Sequence, residues 1–108
     1  MQRREPCVTV SKNQISFNAV MRDVAELDKN QYVCVFVDDE DRRIAFEFKS
    51  LKDSDDDFKM RTATRYPNFK CKELLKRDWI LQVSEAKGKN IFEAKHKEGK
   101  WIITLKRE

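Results

Sequence analysis

The chain has 108 residues, 40% hydrophobic and 10% aromatic, which suits one domain spanning 1–108 with a single core and leaves no room for two. Charged residues make up 39% with both signs interleaved, which argues against wholesale disorder, and the longest apolar run, Tyr32 to Val37, is far too short to cross a membrane. Residues 1–57 hold 9 Lys and Arg against 13 Asp and Glu, whereas residues 58–108 hold 14 against 6, so an acidic partner is drawn to the second half.

The opening Met1-Gln2-Arg3-Arg4-Glu5-Pro6 lacks the apolar stretch of a secretory signal, so a reducing, cytoplasmic setting is expected. Cys7, Cys34 and Cys71 are odd in number and spaced for neither a metal knuckle nor a redox pair. Cys34 and Cys71 are expected to act as small buried apolar residues.

Val8-Thr9-Val10 and Ile15-Ser16-Phe17 alternate around the polar Ser11-Lys12-Asn13-Gln14, which predicts two short strands and a turn. Asn18 is a predicted N-cap for a helix Ala19–Leu27 that turns Val20, Val24 and Leu27 to the core. Tyr32–Val37 reads as a strand apolar on both faces, and Arg42–Lys49 as its hairpin partner across the acidic turn Asp38-Asp39-Glu40-Asp41. The acidic stretch 50–57 is a predicted loop. Phe58–Thr64 is expected to be extended, followed by a turn at Pro67-Asn68 and a strand at Phe69-Lys70-Cys71. A second helix is expected from about Lys72, with Leu74, Leu75 and Trp79 on its apolar face. Ile91 to His96 and Trp101 to Leu105 then flank the turn Lys97-Glu98-Gly99-Lys100, with Trp101, Ile103 and Leu105 on one face. The expected core also includes Val33, Val35 and Phe46.

The two halves share an order of elements. Ile15 matches Phe69 and Val20-Met21 matches Leu74-Leu75 at an offset of 54, while Phe46 and Phe48 match Ile103 and Leu105 at an offset of 57. These matches predict β-β-α-β-β pseudo-repeats at about 8–48 and 58–105 sharing one core. The expected class is α+β, with two short helices on mostly antiparallel strands in a bent sheet or small barrel.

The first half also resembles the swapped-hairpin DNA-binding domain of SpoVT/AbrB-like transcription factors. The resemblance covers Val8-Thr9-Val10-Ser11-Lys12-Asn13-Gln14-Ile15-Ser16-Phe17, the short helix, Tyr32-Val33-Cys34-Val35-Phe36-Val37 and the return Arg43-Ile44-Ala45-Phe46. It implies an interleaved barrel of two such units and duplex binding near the first strands, with Lys12 and Arg22 matching basic positions. Asn18 stands where that family usually has a proline, and Asp28-Lys29-Asn30-Gln31 where it usually has a Gly-Asp turn.

No catalytic constellation, cofactor site or metal site is expected. Two glycines cannot build a phosphate cradle, and the acidic runs lack the glycine and distal glutamate of a calcium loop. His96 is the one histidine available as a base for a thiol, and Glu47 and Lys49 read as the wet face of a strand. The candidate nucleic-acid contacts are Lys70, Lys72, Lys76, Arg77, Lys87, Lys89, Lys95, Lys97 and Lys100. Lysine dominates this set, which favours point contacts to phosphate over bidentate reading of bases. The expected function is therefore a small nucleic-acid-binding module, such as a transcriptional regulator. The alternative is a protein-interaction module, for example a small inhibitor or adaptor from a mobile or viral genome, with Tyr32–Val37 as a surface for a partner or a homodimer.

Overall fold

A computed structural model describes residues 5–85 and 90–105. Period-two alternation builds most of it. Cys7–Val10 (β1) and Gln14–Phe17 (β2) form the expected hairpin, Val8 opposite Phe17, closed by a 2.9 Å bond from Ser11 N–H to the Gln14 carbonyl. The odd members of the alternation, Val8, Val10, Ile15 and Phe17, are fully buried, and Thr9 and Ser16 face outward opposite one another.

Helix α1, Ala19–Val24, follows at once. Asn18 caps it as its sequence suggests: Oδ1 accepts the Met21 N–H at 2.9 Å. The same oxygen accepts the Cys7 N–H at 3.0 Å, and Nδ2 donates to the Glu5 carbonyl at 2.9 Å. One side chain thus fixes the helix start to the first strand. Asn18→Ala is expected to cost about 2 kcal/mol, the upper end for a lost cap, and Asn18→Asp less, because the acceptor survives. Urea titration of the two variants checks the ranking.

The helix is shorter than expected and its face is turned. It stops at Val24, and Glu26 adopts a left-handed φ of 50° that swings Leu27 back into the core. Met21 is buried, Val20 is half-buried, and Val24 is 52% exposed, against the predicted Val20–Val24–Leu27 stripe. A face read at 3.6 residues per turn fails once the helix ends within two turns.

Tyr32–Asp38 (β3) and Arg43–Lys49 (β4) pair along their whole length as predicted. Phe58–Lys59 (β5) is the short ordered part of the extended stretch, pairing with Tyr32 and Val33, and Arg61 bridges to Asn68. Asn68–Lys70 (β6) joins β2 with Ile15 opposite Phe69.

The second helix is broken. Leu74–Lys76 forms a 3₁₀ turn, Arg77 is extended, and α2 runs Asp78–Ser84 with Ile80 and Val83 buried. The extended residue resets the phase, so Leu75 is buried while Leu74 and Trp79 are only partly covered. Ile91–Glu93 (β7) pairs with β1, whereas Lys95–Lys97 (β8) pairs with Lys100–Thr104 (β9) through a turn in which Glu98 and Gly99 both have positive φ. The chain therefore crosses between sheets at Ala94.

The result is α+β, with mostly antiparallel strands in two open sheets, ordered β6-β2-β1-β7 and β5-β3-β4-β9-β8. They do not close into a barrel, one of the two expected forms. Their inner faces meet at Phe17, whose ring contacts Phe46 and Phe48 edge-on at 5.4 and 5.3 Å and stacks near Phe69 at 6.1 Å. Met21, Leu27, Leu75, Ile80 and Val83 complete the core from the helices and turns. Val35 and Trp101 pack against it only partly buried, though β9 has the expected phase, with Ile103 and Leu105 buried.

Candidate nucleic-acid interface

The predicted cations divide into groups with different chemistry. Lys70 ends β6 on the outward face opposite Gln14, and Lys72 follows two residues later; both are exposed. The Cys71 N–H donates to the Asn13 carbonyl at 3.3 Å, which sets the β1–β2 turn beside this segment. That turn carries Lys12, also exposed, so three lysines from both halves of the chain share one end of the first sheet. None of the three forms an ion pair with a described residue. Lys12 is absent from the set read from the basic second half, although the family resemblance matches it to a basic position; the β2–β6 pairing is what makes it a neighbour of Lys70.

Lys76 is tied to Glu73 at 3.1 Å, a surface pair worth little and open to exchange. Arg77 has a different role. Its Nε–H donates to Asp39 Oδ1 at 2.8 Å, and the Trp79 Nε1–H donates to the same oxygen at 2.9 Å. The guanidinium thus anchors the start of α2 to the β3–β4 turn, with its charge compensated. Lys95, Lys97 and Lys100 lie apart from the first group, on the β8–β9 hairpin at the edge of the second sheet. Lys95 is paired to Glu93 at 2.8 Å, which raises its pKa, and Lys100 Nζ sits 5.2 Å from the centre of the Phe36 ring. Lys87 and Lys89 lie outside the described residues.

Both acidic runs have work within the fold. In the β3–β4 turn Asp38 Oδ1 accepts the Glu40 and Asp41 N–H groups, and Arg43 bonds Asp38 at 2.9 Å and Asp41 at 3.0 Å. The Arg43 hydrogen bond, then the Asp41 N–H, lowers the Asp38 pKa. The loop at 50–57 is not wholly solvated as expected: Asp57 is buried and accepts the Asp53 and Ser54 N–H groups at 3.1 and 3.2 Å and Lys49 Nζ at 3.3 Å. Burial pushes the Asp57 carboxyl up, but the Asp53 N–H and Lys49 outweigh it and leave its pKa below the ordinary value. Lys49 is raised, chiefly by its hydrogen bond to Asp53, with burial opposing and Asp57 adding to the rise.

A depressed carboxyl stabilises the fold above its ordinary pKa of about 3.9 and loses that stability as pH falls through the folded value. A raised lysine stabilises below about 10.4 and loses it as pH rises through the folded value. Asp57→Asn is therefore expected to lower the urea midpoint by a constant amount between about pH 5 and pH 9, the difference closing below about pH 4. A difference independent of pH down to about pH 2 contradicts the pairing.

No disulfide joins Cys7, Cys34 and Cys71. Burial pushes the Cys71 thiol up to about 12, which keeps it protonated and inert. Cys34 is only half-buried, contrary to expectation, and burial raises its pKa too, against the opposing charge of Lys49. His96 stacks on Trp101 at 4.5 Å. Among the described residues no three His, Cys, Asp or Glu side chains gather as metal ligands, and no helix is long and apolar enough to cross a membrane.

The outward face of the first sheet forms a groove of about 510 Å³. Strand register places Asn68, Ser16, Thr9 and Ile91 in one row across its floor. Tyr66, 50% exposed, stands at its side with the Arg65 guanidinium 5.5 Å from the ring centre. No family model, no curated protein and no solved structure matches the chain.

Proposed function

We propose that this domain is a nucleic-acid-binding module, serving as a small regulator rather than an enzyme. The observation that carries the reading is the convergence of Lys12, Lys70 and Lys72, exposed and without a described carboxylate partner, at one end of an open sheet. Three mobile ammonium groups at such an edge suit phosphate contact by charge and shape more than by base identity. NMR chemical-shift mapping with a short duplex in low salt tests it. Shifts should concentrate at residues 11–14 and 68–76; shifts confined to other surfaces remove the reading.

We also infer that the halves derive from one duplicated unit. Ile15 and Phe69, equivalent at the offset of 54, are direct partners between β2 and β6. At the offset of 57 Ile44 corresponds to Trp101 and Phe46 to Ile103, and the β4–β9 pairs Ile44–Ile103 and Phe46–Trp101 exchange under that operation. The β1–β7 and β5–β3 pairings, and the β3–β4 and β8–β9 hairpins, correspond strand for strand, although their registers do not follow these offsets. An experimental structure with either of the two central registers slipped by one residue would break this axis.

One observation favours a second reading, a protein-interaction module. β5 covers only Tyr32 and Val33, so among the described residues no strand pairs with the far side of Val35–Val37, where Phe36 is 43% exposed. An open edge of this kind accepts an added strand from a partner or a second copy. Shift mapping that selects residues 34–38 with a protein partner would support it.

A further inference from the structure

The groove on the first sheet has a chemistry distinct from the lysine edge. Its floor is built of short neutral side chains that both donate and accept, Thr9, Ser16 and Asn68, with Gln14 beside Lys70 at one end. These groups are set by strand register, so their spacing is rigid. The Asn68 amide nitrogen donates to the Tyr66 carbonyl at 3.0 Å, which fixes the amide and turns its oxygen into an available acceptor. Tyr66 is half-exposed, with the Arg65 guanidinium 5.5 Å from its ring centre, a contact that a stacking base would replace. The exposed cations nearest in the chain are Arg65, next to Tyr66, and Lys70, two residues after Asn68.

A duplex hides base faces and shows base edges only within its grooves, whereas an unpaired strand offers both faces to stack and free edges to hydrogen-bond. At about 510 Å³ and open on one side, the groove has room for a splayed base but not for a double helix. We propose that the groove binds single-stranded nucleic acid, one base stacking on Tyr66 with its edge meeting Ser16 and Asn68, and the flanking phosphates meeting Arg65 and Lys70. This rests on the nucleic-acid reading above and narrows it to unpaired strands.

The experiment compares a labelled oligothymidylate of about twelve nucleotides with a duplex of the same length, by fluorescence anisotropy at matched low salt. The single strand should bind more tightly. Tyr66→Ala should weaken it about tenfold or more, Tyr66→Phe should stay within about twofold, and duplex affinity should change little in both. Ser16→Val, on a separate strand and favourable for β structure, should weaken the single strand several-fold; circular dichroism checks that each variant is folded. Wild-type affinity in Tyr66→Ala, or duplex binding tighter than single-strand binding, overturns the groove proposal while the wider reading stands. Absence of binding to both nucleic acids overturns both.

Discussion

Alanine at Lys12, Lys70 and Lys72 together is expected to weaken nucleic-acid binding by about tenfold or more at low salt, and to flatten the salt dependence by about one unit of slope for each phosphate contact removed. The three side chains are exposed and form no ion pair with a described residue, so their removal should leave the urea midpoint almost unchanged. Arg77→Ala provides the contrast. Its guanidinium is held by Asp39, which also accepts the Trp79 N–H, so its loss should loosen α2 from the β3–β4 turn. Affinity should then change far less than in the triple lysine variant. Equal losses of affinity in the two would mean that net charge, and not the sheet edge, carries binding.

Phe17→Ala should have the largest effect on the fold, about 3–5 kcal/mol. The ring is 1% exposed and touches Phe46, Phe48 and Phe69, so it joins both sheets at their centre. Truncation leaves a cavity walled by rigid strands and removes two edge-on aromatic contacts. Against a total stability of about 5–15 kcal/mol, this brings the domain close to unfolding at ambient temperature. Trp101→Ala should cost less, because Trp101 is only half-buried and faces His96. Urea titration orders the two; a loss under about 1 kcal/mol for Phe17→Ala would mean that the sheets do not meet through this ring.

Strands were the legible part of this chain. Alternation at Val8–Val10, Ile15–Phe17 and Ile44–Phe48 is fixed by burial of one face, and the structure keeps those phases. The helices were less legible. Glu26 at positive φ and extended Arg77 cut both short, and neither residue type announces such a conformation. The crossing at Ala94 was hidden because Ile91 to His96 reads as one continuous strand, although its two parts pair in different sheets.

For the candidate site, composition pointed to the basic half but not to which cations are already engaged. The Arg77–Asp39 pair links residues 38 positions apart, beyond any local pattern. The row Asn68–Ser16–Thr9 was equally hidden, since each residue alone is merely the wet side of a strand until register aligns them.

The most direct measurement of the central claim is the salt dependence of binding to random-sequence duplex and single-stranded oligonucleotides, from about 20 to 300 mM salt. The expected result is measurable affinity at the low end that falls log-linearly, with a slope of about −0.9 per phosphate contacted on duplex and about −0.7 on a single strand. No binding to either nucleic acid at the lowest salt, where attraction to phosphate is strongest, would contradict it.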